Sequence, residues 1–291
     1  MPISATDTLS YEVRRRTAYV TMNRPRSMNA LNGELTRALA EAFVEADGDD
    51  EVLVVVLGGA GGRAFSAGGD LKEASDTIGG DRDPAAADGT GDSGAPRPAR
   101  RRSTAISAYP AVAKGGSMPG FDQVNQCSKP VIAAIDGYCL GGGLELALYC
   151  DIRLATRQST FALPEPKRNL LSGPAFVHLS RMIPLGEAMR MELTGEPLDS
   201  QRAYQIGLIQ GLSEDREGLD AAVEKTADQL SENSPLAVQF LKRIVKDGRD
   251  MTVEQHWKFA EMFAYTLGRT EDALEGPRAF VEKRKPDWKM R

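Results

Sequence analysis

Histidine and cysteine are scarce in this chain, with two and three among 291 residues. Two histidines, His178 and His256, cannot make a three-histidine zinc site, and no H-E-x-x-H sequence is present. No metal centre is expected. His256 falls in an amphipathic stretch near the C-terminus and reads as structural. Cys127, Cys139 and Cys150 show no C-x-x-C spacing and read as buried thiols of a reducing compartment. Aromatic residues make up 6%, and both tryptophans, Trp257 and Trp288, lie in the C-terminal part. That offers little of a sugar-stacking platform. A net charge of −5 lacks the basic footprint that nucleic acid selects. The longest apolar runs, 52–57 and 130–135, fall far short of the ~20 residues that span a bilayer. No charged-then-apolar leader heads the sequence. The expectation is a cytoplasmic protein with neither nucleic-acid nor membrane partners.

What remains is an ordinary globular composition, 41% apolar and 26% charged. Runs 9–13 and 18–22 read as short strands around a basic turn, Arg14-Arg-Arg16, followed by a helix over 33–47. The run 52–57 is valine-rich without alternation, as a strand buried on both faces requires. Runs 130–135 and 152–155 repeat that character, so the fold class is α/β. Residues 77–119 are heavy in Gly, Ala, Asp and Pro, shift from acidic to basic at Arg100-Arg-Arg102, and read as a flexible insert. After Pro197 the pattern turns helical, over 200–206, 219–232, 235–247, 252–266 and 270–284. Two regions are expected: 1–198, a core carrying the insert, and 199–291, a helical C-terminal region.

Three segments carry chemistry. Gly59-Ala-Gly-Gly-Arg-Ala64 fits G-x-G-x-x-A, but loop rather than helix follows, and no second strand with an acidic residue comes about twenty residues later. No dinucleotide site is expected. Ala67-Gly-Gly-Asp70 and Gly141-Gly-Gly143 each follow a buried strand and precede a helical stretch. Consecutive glycines there let backbone N–H groups approach a ligand. Two such donors converging on one point make an oxyanion hole, worth a few kcal/mol per donor. Glu145 lies just inside the second helix, and Glu165 follows Pro164 in Phe161-Ala-Leu-Pro-Glu. Two carboxylates in an apolar pocket have pKa values pushed up and apart, which suits acid–base chemistry.

These motifs, in this order, resemble the crotonase, or enoyl-CoA hydratase/isomerase, superfamily over nearly the whole chain. The resemblance runs from Asn23-Arg-Pro and Asn29-Ala-Leu-Asn32, through the loops above and Lys129-Pro-Val-Ile-Ala-Ala, to Gly276-Pro-Arg-Ala-Phe-Val-Glu-Lys-Arg284. It implies a spiral of ββα turns with a helical C-terminal trimerisation region, assembled as a trimer or a dimer of trimers. It implies an acyl-CoA substrate whose thioester oxygen meets the N–H groups of Gly69 and Gly142. Glu145 and Glu165 match the catalytic pair of the hydratases, whose product is a 3-hydroxyacyl-CoA. Arg26, Ala64, Ala67, Phe280 and Lys283 match positions that contact coenzyme A, which is part of the substrate. No separate cofactor is implied.

Two departures stand out. Hydratases of the family run Gly-x-Gly-Gly where this chain has Ser172-Gly-Pro-Ala-Phe-Val-His178, so Phe176 is expected to narrow or reshape the acyl pocket, while His178 reads as structural, with lining of that pocket as the alternative. The insert at 77–119 is longer than the usual connection. Hydration of a 2-enoyl-CoA is the leading expectation. The alternatives are an isomerase or specialised dehydratase of the superfamily and, in another class, an acyl-CoA-binding protein without turnover.

Overall fold

The structure is a computed structural model that describes residues 7–70 and 120–291. The expected insert, and the helix expected to open after Asp70, lie outside the described residues.

The valine-rich runs form the centre of a six-stranded sheet ordered β1-β2-β3-β5-β7-β10. β1 (Leu9–Arg14) and β2 (Thr17–Met22) make an antiparallel hairpin whose turn residues Arg15 and Arg16 both adopt positive φ. From β2 onward every pairing is parallel, through β3 (Val54–Gly59), β5 (Val131–Ile135), β7 (Ile152–Thr156) and β10 (Gly211–Ser213). Strand periodicity sorts their side chains between two cores. Val55, Leu57, Val131, Ala133 and Ile135 enter the main core; Val54, Val56, Ile132 and Ala134 face the opposite way. There they meet Leu219, Val223 and Ala227, one face of a helix at four-residue spacing. Burial on both faces is why these strands are continuously apolar, each buried valine contributing about 1.5–3 kcal/mol.

A second, four-stranded sheet is ordered β4-β6-β8-β9. Its strands are β4 (Ala64–Ser66), β6 (Tyr138–Leu140), β8 (Thr160–Ala162) and β9 (Leu198–Asp199). β3–β4, β5–β6 and β7–β8 each place one strand in the first sheet and the next in the second. The chain therefore winds as a spiral of ββα turns. Helices α1 (Gly33–Gly48), α2 (Phe121–Gln126), α3 (Gly142–Tyr149), α4 (Ala175–Met182) and α5 (Leu185–Thr194) accompany them. Asn32 caps α1 by accepting from Leu35 N at 3.0 Å, and Leu35, Leu39, Ala42, Phe43 and Ala46 are buried on one stripe.

Beyond α6 (Ser200–Gln205) the chain is helical apart from β10: α7 (Arg216–Glu232), α8 (Pro235–Asp247), α9 (Val253–Leu267) and α10 (Asp272–Glu282). His256 is structural, its Nε2 lying 2.8 Å from the Ile244 carbonyl. Buried Asp272 accepts from the backbone amides of Lys289 and Met290, stitching down the last residues. Two cations converge on the end of α3. Arg153 Nη1 donates to Cys150 O at 2.7 Å, and Lys246 Nζ from α8 lies 3.3 Å from Tyr149 O. No helix among the described residues is long and apolar enough to cross a membrane.

Candidate active site

Asn29 organises the first glycine loop. It is fully buried, with φ 53°, and its side chain donates to Ala60 O at 3.0 Å and Ala64 O at 2.8 Å. Its own carbonyl accepts from Ser66 Oγ, which in turn accepts from Gly68 N. Leu31 N donates to Gly68 O and Ala67 N to Met28 O, each at 2.8–2.9 Å. Ala64, Ala67 and Gly68 are thus committed to the frame. Gly69, next in line, has nothing within 4 Å of where a side chain would begin.

Gly142 opens α3, where the first N–H groups have no intrahelical acceptor. A Cβ on Gly142 would stand 3.6 Å from Gly69 N, so the two expected donors flank one small space. Gly141 and Gly143 fix this loop more tightly. Gly141 has φ 52°, and a Cβ on Gly143 would collide with Ser66 O at 2.5 Å. Only glycine lets the start of α3 press so closely on β4.

Glu145 lies three residues beyond Gly142, hence on the same face of α3. It is 7% exposed, and its Oε1 has no hydrogen-bond partner. Its pKa is raised from 4.5 to about 7, first by burial and then by the charge of Glu165, while backbone N–H groups of Gly173 and Ala175 oppose the shift. Glu165 begins a 3-10 turn, Glu165–Arg168, and has a buried, unpartnered Oε2. Burial raises its pKa too, with Glu192 adding to the effect and Arg168 opposing it. Two carboxylates with raised pKa values thus stand around a pair of backbone donors. Such an arrangement can hold a carbonyl oxygen and move a proton on and off a neighbouring carbon.

The other expected residues are placed less centrally. Arg26 is exposed on the 3-10 turn Pro25–Ser27. Phe280 is 86% exposed on α10, and Lys283 follows that helix in the left-handed conformation. Phe176 is 57% exposed on α4. His178 packs edge-on against Tyr149, ring centroids 4.9 Å apart, and lines a cavity of ≈ 490 Å³ between α3, α4 and α8. Burial, Lys246, Arg249 and Arg181 lower its pKa. That cavity is walled by Lys242, Val245 and Lys246 rather than by either glutamate. Gly173 escaped the sequence reading. A Cβ there would come 3.4 Å from Glu145 Oε1, and only the odd composition of 172–178 hinted at it.

A sequence model of the enoyl-CoA hydratase/isomerase family matches residues 102–291, and a second of the same description matches residues 17–90. The chain is 34% identical over 275 residues to a carnitinyl-CoA dehydratase of Salmonella arizonae, covering 93% of this chain and 94% of that protein. It is 34% identical over 279 residues to an (E)-benzylidenesuccinyl-CoA hydratase of Thauera aromatica, covering 96% and 97%. Its structure aligns with a crystal structure of an enoyl-CoA hydratase from Mycobacterium tuberculosis at a TM-score of 0.80 and 34% identity, covering 98% and 99%. The protein therefore belongs to the enoyl-CoA hydratase/isomerase family of the crotonase superfamily, and is an enzyme of that family.

Proposed function

We propose that the protein adds water reversibly across the C2–C3 double bond of a 2-enoyl-CoA, giving a 3-hydroxyacyl-CoA. The observation that carries this is the pair of carboxylates, buried Glu145 and half-buried Glu165, set around the amides of Gly69 and Gly142. The thioester oxygen accepts from both amides, which draws electron density off C3 and stabilises the enolate charge that develops. Glu145, ionised, takes a proton from water as its oxygen bonds to C3. Glu165, protonated, delivers a proton to C2 as the enolate collapses. The reverse reaction exchanges the two roles. A Glu145 pKa of about 7 sits near the operating pH, where a group that both takes and gives a proton works best.

The relatives' names include both a dehydratase and a hydratase, in keeping with one reversible reaction. Coenzyme A enters as part of the substrate. Phe280, 86% exposed, and Val281, 79%, on α10, and Trp257 and Tyr265 on α9, are exposed apolar side chains that suit a second copy of the chain. A trimer or a dimer of trimers is the assembly proposed, with Phe280 and Lys283 reaching coenzyme A on a neighbour and Arg26 near its phosphates.

The test is crotonyl-CoA mixed with the purified protein, following the ultraviolet band of the conjugated enoyl thioester. Loss of the band, with 3-hydroxybutyryl-CoA identified by mass, is expected. Binding without loss of the band would replace hydration with isomerisation or another reaction of the superfamily.

A further inference from the structure

A third glutamate touches this site. Glu192 lies near the end of α5, beside buried Met191, and one carboxylate oxygen accepts from Ser172 Oγ while the other is buried without a partner. Ser172 is itself buried and immediately precedes Gly173, whose amide faces the Glu145 carboxylate. α5 also packs against the 3-10 turn that carries Glu165. We propose that Glu192 is a positioning residue for the acid–base pair, holding the Ser172–Gly173 backbone against Glu145 and setting a third carboxylate beside the two catalytic ones. The proposal rests on the hydration reading only for its kinetic consequence.

Among the described residues, Glu192 is the carboxylate whose charge reaches both members of the pair. Glu145 is faced by Glu165 and Glu192, and its charge is felt by Tyr149 on the same helix. Glu165 is faced by Glu192 and Arg168. On α5 and the neighbouring 3-10 turn, Glu187 pairs with Arg190 and Arg202, and Lys167 pairs with Glu196 at 2.7 Å. No group of three His, Cys, Asp or Glu among the described residues is placed to hold a metal ion. A like charge held close disfavours ionisation of its neighbours, so Glu192 helps keep a proton within the pair near neutral pH.

Glu192→Gln keeps an oxygen for Ser172 and removes the charge. Protein labelled with carbon-13 at the glutamate carboxyls, its resonances assigned with Glu145→Gln and Glu165→Gln, reads the effect directly. The titration midpoint of Glu145 should fall in Glu192→Gln, and the acid limb of kcat/KM for crotonyl-CoA should move to lower pH with it. An unmoved midpoint in the folded variant overturns the proposal whatever the activity. A moved midpoint in a protein that hydrates no enoyl-CoA supports the positioning role and removes only the hydration reading. Should Glu192→Gln not fold, Ser172→Ala carries the test: kcat about tenfold lower at unchanged KM supports the link, and unchanged kcat overturns it.

Discussion

A side-chain carbon on Gly141 would lie 2.6 Å from Glu165 Oε1, so the Glu165 carboxylate rests directly on the loop that leads into Gly142. The proposed donor and the proposed acid are therefore held by one contact. Glu145, on the helix that Gly142 opens, completes the set from the other side.

The first prediction concerns the two carboxylates. Glu145→Gln and Glu165→Gln should each lower kcat with crotonyl-CoA at least about a hundredfold while acyl-CoA binding stays within a few-fold. Steady-state kinetics with calorimetric titration checks both halves. Near-parental rates in both variants would remove the acid–base assignment.

Glu145 should also govern stability against pH. Its folded pKa of about 7 lies above the ordinary 4.5, so the fold favours the protonated form. Its contribution is complete below pH ~4.5 and is lost as pH rises through 7, reaching about 3 kcal/mol. Glu145→Gln cannot ionise and escapes that loss. The melting temperature of the variant should exceed that of the parent by a margin that widens from pH 5 to pH 8. A constant margin would mean that the carboxylate is not held at a raised pKa.

Adjacent glycines should behave differently. A methyl on Gly142 would sit 3.4 Å from Leu31 Cδ1 and 3.6 Å from Gly69 N, an ordinary fit that fills the space proposed for the thioester oxygen. Gly142→Ala should fold with a melting temperature close to the parent's and lose about a hundredfold or more in kcat. A methyl on Gly143 would meet Ser66 O at 2.5 Å and Ser66 Cβ at 2.7 Å, so Gly143→Ala should lose stability first. Thermal melts and kinetics on the two proteins separate the roles.

Phe280 offers a test of assembly. With 86% of its surface exposed, its removal costs the isolated fold little. If it covers coenzyme A on a neighbouring copy, Phe280→Ala should raise KM several-fold with kcat largely kept. Sedimentation should show oligomers in the parent. A monomeric parent, or an unchanged KM in the variant, would remove that role.

Much of this was legible in the sequence. β3 and β5 stood out because burial on both faces leaves no polar position in them. Three-residue strands such as β4 and β6 were not legible. They are too short for a period, and they exist because a partner such as Tyr138 lies opposite Ala64. Glu145 and Glu165 were marked by adjoining Gly and Pro. Glu192 carried no such mark, because its meaning depends on Ser172, twenty residues earlier in the chain. His178, read as structural with pocket lining as the alternative, packs on Tyr149 beside a cavity that Lys242 and Lys246 also line.

Beside Arg153, Lys246 ties the C-terminal helices to the end of α3, the helix that carries Glu145. A short helix behaves as an oriented dipole, and here its negative pole is already neutralised from within the fold. The positive pole, at Gly142, has Glu145 in its first turn and Glu165 against Gly141, both held above the ordinary carboxylate pKa, so it keeps its capacity for the charge proposed to form on the substrate. Lys246 belongs to α8, almost a hundred residues further along the chain. Trimming the helical region would thus weaken the catalytic electrostatics from behind, at a distance from every atom of the acyl group.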